Sequence, residues 1–248
     1  MIIFFICLGL LSGDPAGERC DASADSQAFE RFVERTYGEC GLVSPSVFTA
    51  FRLGLIGYYN IKRQGLLPND SIIAIIDYHS PSTENRLFVV NLSSGSLLYK
   101  TLVAHGKRSG ENNARSFTND PRSLMSSLGF YVTAGTYFGR HGYSLTLRGV
   151  DQGYNDNAVK RSIVMHGADY VSFDFIRRHG RIGRSWGCPA VPVGVCKGVI
   201  DAIKGGCCLF VYYGDEDYLE KSQFLRLTSA IEEYGGISRS KERGRNSE

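Results

Sequence analysis

From Ile72 onward the chain falls into short apolar runs separated by turn-forming residues, and this rhythm restricts its folds more than any other feature. Ile72–Asp77 and Leu87–Asn91 are strand-like and flank the Ser80-Pro81-Ser82 turn region. Further runs cover 97–104, 129–133, 143–147 and 162–165, the third alternating as Tyr143, Leu145 and Leu147. Helical patterns come late, at 168–178 and 194–204, each closed by a glycine, before a last apolar strand over 207–213. Many strands with few helices between them argue a mainly β core with flanking helices (α+β), and disfavour a βαβ sheet. An apolar fraction of 43% can fill such a core, so global disorder is excluded.

The flanks read differently. Residues 1–17 hold the apolar run Met1 to Leu11, too short for a membrane-spanning helix of ~20 residues. The run suits the apolar part of an export signal, with small residues at Ser12-Gly13 and Ala16-Gly17 for cleavage. The expectation is therefore export, with a buried N-terminal strand as the competing reading. A helical segment over 18–69 follows, with Phe29, Phe32 and Val33 at helical spacing. Its second helix starts at Ser44-Pro45, carries Val47, Phe48, Phe51, Leu55 and Tyr58 on one face, and stops at Gly65. Residues 70–214 make the β-rich domain. The last segment, 215–248, is a helix over 217–234 and a basic tail, expected to be disordered from Ser238.

The net charge of +3 gives no reason to expect a nucleic-acid partner. Seven cysteines are many for a reducing compartment, and Cys20–Cys40 is a candidate disulfide. No pair of cysteines has zinc-ligand spacing, no phosphate-binding or dinucleotide fingerprint occurs, and neither a metal nor an organic cofactor is expected.

Two elements carry chemistry. The run Arg161-Ser162-Ile163-Val164-Met165 ends on His166-Gly167, and Cys188 lies in Arg184-Ser185-Trp186-Gly187-Cys188-Pro189-Ala190. A thiol attacks as thiolate, and a histidine brought beside it can take the proton. The competing reading of Cys188 is a small core residue, and of His166 a hydrogen-bonded strand end. Glycine before the cysteine favours an exposed turn whose N–H groups, at Gly187 and Cys188, can face a developing oxyanion. His105 is the rival imidazole that could line the pocket. Arg148, Tyr154, Asn155 and Arg161 are candidates for carboxylate recognition, with loop hydrogen bonding as their competing role. The turn Gly139-Arg140-His141-Gly142 carries no chemistry on this reading.

His-Gly followed by Ser-x-Gly-Cys resembles the YkuD-type L,D-transpeptidase catalytic domain, here the branch with Ser-x-Gly-Cys-Pro-Ala. Ile75-Ile76-Asp77-Tyr78, Leu102-Val103-Ala104-His105-Gly106, Ser127-Leu128-Gly129-Phe130-Tyr131 and Met165 to Val171 extend the likeness across 72–213. The resemblance implies a β-sandwich catalytic core and the stem peptides of peptidoglycan as donor and acceptor. It also implies Cys188 as nucleophile, His166 as base, the Gly167 carbonyl as the group orienting the imidazole, and Ser185 as loop support. Trp186 stands where many relatives carry histidine, and Pro189-Ala190 replaces an apolar-Arg or apolar-Asn pair, which puts donor specificity in question and makes Trp186 a substrate-contact candidate. An L,D-carboxypeptidase or cross-link hydrolase using the same residues, and a wall-binding module without turnover, are the alternatives. A papain-like protease is disfavoured because the cysteine there precedes the histidine.

Overall fold

The computed structural model describes residues 15–245, with side chains from 24 to 240. Most of the expected export segment and the last three residues lie outside the described residues. Among the described residues, no helix is long and apolar enough to cross a membrane.

Eight strands join one mixed sheet. They are β1 (Ile72–Asp77), β2 (Leu87–Asn91), β3 (Ser96–Thr101), β4 (Gly129–Gly139), β5 (Gly142–Gly149), β6 (Val164–Gly167), β7 (Ala190–Val191) and β8 (Cys208–Tyr212), in the spatial order β3-β2-β1-β8-β4-β5-β6-β7. The unbroken apolar runs belong to the centre: β8 is buried at every position, and lies parallel to β1 and antiparallel to β4. A strand covered on both faces needs no polar alternation. β3 is the opposite case, an outer strand with polar and apolar positions alternating in exposure. The two outer ends of the order approach each other, because Ala104, just past β3, bridges Ala190 in β7. The sheet therefore curls over its own core as a mainly β body with flanking helices, and its layers are continuous through β4, where the register with β5 shifts between Thr133 and Thr136.

Two long helices, α1 (Pro15–Glu39) and α2 (Pro45–Arg63), precede the sheet. Proline at the first turn suits the start of α2, where its missing N–H costs nothing. α2 lies on β1 and β8, and its Phe51, Leu55 and Tyr58 are all buried. α4 (Val193–Ile203) packs against β6 and also touches β1 and β5.

Three expectations change. The helix expected over 168–178 is shorter, α3 (Phe173–His179), because Ala168 N–H extends the β6–β7 ladder by donating to Val191 O at 2.9 Å. Ser172 then caps α3 by accepting from Phe175 N–H. The helix expected over 217–234 is broken at Ser222 into α5 (Glu216–Lys221) and α6 (Leu227–Arg245), with a 3-10 turn between them. Ser222 Oγ donates to the buried Asp151 carboxylate at 2.8 Å and draws the chain inward, so that Phe224 is buried. α6 continues through Ser238 to Arg245, so the expected boundary of the disordered tail falls within a helix; Arg239 pairs there with Asp25 at 2.6 Å. Of the candidate Cys20–Cys40 disulfide, the Cys20 side chain lies outside the described residues; Cys40 is a buried free thiol donating to Gly95 O.

Candidate active site

β6 ends at the surface of a cavity of about 450 Å³, and the loop before β7 forms its opposite wall. His166 comes from β6 and Cys188 from the loop, and both line this space. Their elements are neighbours because β6 and β7 pair in parallel, His166 opposite Ala190. Two positions separate Ala190 from Cys188, so the ladder itself carries the thiol toward the imidazole.

His166 is 3% exposed, and its Nδ1 lies 2.9 Å from the Gly167 carbonyl oxygen. A carbonyl only accepts, so Nδ1 carries the proton and Nε2 keeps its lone pair. Burial depresses the imidazole's affinity for a second proton; the Gly167 carbonyl partly offsets this and the neighbouring His141 adds to it. The ring is therefore neutral at pH 7. Burial raises the Cys188 thiol above its ordinary value, against the Val164 N–H and the positive Arg161, which favour the thiolate. At rest the thiol donates to the Ser162 carbonyl at 3.6 Å and accepts from Val164 N–H at 3.5 Å. Ser162 itself has φ of 55°, in the left-handed region that a side chain disfavours. A neutral thiol beside a neutral imidazole needs the base at the moment of attack.

One consequence is measurable directly. Iodoacetamide reacts with thiolate, so alkylation of Cys188 is expected to be slow at pH 7 and to rise only above the ordinary thiol value. A rate already on its plateau at pH 7 would mean a preformed thiolate and would contradict this electrostatic picture.

The loop around the cysteine is held by Ser185. Its Oγ donates to Cys188 O at 2.6 Å and accepts from Gly187 N–H at 3.0 Å. Gly187 N–H is thus committed within the loop, which corrects the expectation that it faces an oxyanion. Cys188 N–H makes no hydrogen bond among the described residues and is the loop's available donor. Gly187 has φ of 126°, and an added Cβ would sit 2.7 Å from the Met125 carbonyl, so only glycine fits.

The remaining candidates divide. Trp186, 70% exposed, and Arg161 line the cavity. Arg161, however, donates to Thr118 O, Ser127 Oγ, Ser123 Oγ and Met125 O, and so braces the 118–127 loop. His105 is fully buried away from the cavity: Nδ1 accepts from Arg86 at 2.8 Å, Nε2 donates to Gly110 O, and burial with the Arg86 charge lowers it to about 4. Asn155 is also fully buried and donates to Leu128 O and Phe130 O. Tyr154 donates to Asp217, and Arg148 is an exposed residue of β5 opposite Val132; neither lines the cavity. Conversely, the Arg140-His141 turn is part of the site. β5 pairs with β6, Ser144 opposite His166, so the β4–β5 hairpin tip leans over the histidine. The His141 ring stacks on His166 at 4.4 Å and 22°. Tyr137, Tyr170 and Arg184 complete the walls, and burial raises the Tyr170 hydroxyl to about 12, helped by Cys188.

Residues 44–212 match the family described as the L,D-transpeptidase catalytic domain. The chain belongs to that family. Among curated proteins, none shows significant sequence similarity to it. Solved L,D-transpeptidases are similar only distantly. LdtMt1 in complex with imipenem is 13% identical at a TM-score of 0.35, covering 57% of this chain and 59% of its own. The L,D-transpeptidase from Mycobacterium smegmatis is 12% identical at 0.35, covering 58% and 59%. That from Stackebrandtia nassauensis is 11% identical at 0.36, covering 73% and 76%. This L,D-transpeptidase domain thus spans about three-fifths of the first two structures.

Proposed function

We propose that the protein is an exported cysteine L,D-transpeptidase acting on peptidoglycan stem peptides in the periplasm or cell envelope. The observation that carries the reading is the orientation of His166: with Nδ1 held on Gly167 O, the lone pair of Nε2 is reserved for a proton within the cavity that Cys188 also lines. Family membership supplies the reaction class.

In the first half-reaction, Cys188 Sγ attacks the carbonyl carbon of the third, L-centred donor residue while His166 Nε2 takes the thiol proton. Cys188 N–H is the donor available to the oxyanion. Collapse breaks the C–N bond, His166 returns the proton to the leaving amine, and the terminal D-amino acid departs from a thioester. An acceptor amine then attacks that thioester, His166 removes its proton, and the C–S bond breaks to restore the thiol. The product is a 3–3 cross-link, or an exchanged D-amino acid when the acceptor is free. The chemistry requires no metal or organic cofactor.

Incubating the mature protein with a disaccharide-tetrapeptide and a D-amino acid tests the reading by product mass. Exchange or dimer formation is the expected result. Tripeptide alone would replace the assignment with an L,D-carboxypeptidase, since water would then be the acceptor.

A further inference from the structure

Arg140, Arg161 and Arg184 line the cavity, and no aspartate or glutamate lines it among the described residues. Two of these guanidinium groups are engaged by the protein. Arg161 is bound to the 118–127 loop as described, and Arg184 donates to Lys107 O, Gly110 O and Glu111 Oε1, the last at 2.5 Å. Arg140 makes no hydrogen bond or ion pair among the described residues. It is exposed at the hairpin tip, beside the residue whose ring stacks on His166. Its uncommitted fork of N–H donors therefore stands at the wall of the cavity where the scissile bond must lie. A guanidinium in that state binds a carboxylate bidentately, and the two neighbouring arginines add to a field that favours anions.

We propose that Arg140 is a specificity-determining residue that reads one carboxylate of the peptide donor. The proposal rests on the transpeptidase reading above and replaces Arg148 and Arg161 as the carboxylate readers expected from the sequence. A stem tetrapeptide offers several carboxylates: the terminal one that leaves with the D-amino acid, and internal ones on the glutamate and on a diamino acid third residue. All present the same chemistry to Arg140, and amidating them one at a time distinguishes them.

Binding is measured with Cys188→Ala, which removes turnover. One of the singly amidated tetrapeptides is expected to bind about 10- to 100-fold more weakly than the acidic peptide, the range of one charge-assisted interaction. In Cys188→Ala/Arg140→Ala the acidic peptide should weaken to that level and the amidation should have no further effect. Arg140→Lys should restore part of the preference. The same preference should appear in the KM of the otherwise wild-type enzyme and be lost from that of Arg140→Ala. A purely structural residue would not alter the ratio between acidic and amidated peptides. Retention of the full ratio in Arg140→Ala, or no preference in the parent, overturns the proposal. Turnover with the ratio retained removes Arg140 and leaves the transpeptidase reading intact; Arg140-dependent binding without wild-type turnover does the reverse.

Discussion

Replacing His166 with alanine is expected to lower the rate of thioester formation at pH 7 by roughly 10²–10⁴-fold, the range of a positioned general base. The direction of the two pKa shifts makes the pH profile diagnostic. Burial holds the imidazole below its ordinary value and the thiol above its own, so the reactive form, neutral thiol with neutral base, spans neutral pH. In the wild type, kcat/KM for acylation should rise as pH increases through the depressed His166 value and stay high beyond it. His166→Ala should lose that rise, and its residual rate should grow only at alkaline pH, where the thiol ionises without help. Stopped-flow acylation from pH 5 to 10 makes the comparison. An unchanged profile in His166→Ala would assign the base elsewhere, with His141 the first to examine because its ring lies against His166.

The largest effect on stability is expected from Gly57→Ala in α2. An added Cβ there would overlap the Phe130 ring on β4, and that ring cannot withdraw because it stacks on Phe210 at 4.2 Å. Either α2 must lift from the sheet or the aromatic stack must come apart. Overpacking of this kind costs about 3 kcal/mol, which for a domain of this size is about 6–12 °C in Tm. Gly38→Ala is the control, since nothing lies within 4 Å of its Cβ position, and its Tm should stay the same or rise slightly. Equal melting temperatures for Gly57→Ala and the wild type would mean that α2 does not pack on β4 as described.

Local signals explain where the sequence was readable. β1 and β2 match their expected limits because each is an apolar run bounded by turn residues, and α2 begins where serine and proline announce a helix. His166, Ser185, Gly187 and Cys188 stood out as a motif, and β6–β7 pairing brings their elements together. The polar residues around them were less legible because their roles depend on distant chain. Asn155 resembles a substrate contact until the 151–162 turns bury it against the carbonyls of Leu128 and Phe130. Arg161 resembles a carboxylate reader until the 118–127 loop occupies its donors. His141 is not legible as a site residue because nothing near it in sequence reveals that β5 lies beside β6. The available clue was two strand-like runs on either side of Gly139-Arg140-His141-Gly142, which make that segment a hairpin tip.

Intact-protein mass spectrometry during turnover tests the central claim most directly. After rapid acid quenching with tetrapeptide donor, the wild type should carry one added tripeptide-acyl mass, the donor less its terminal D-amino acid, mapped by peptide digestion to Cys188. Cys188→Ala should show neither adduct nor product. Product formation by Cys188→Ala, or an adduct on a different residue in the wild type, would contradict the account.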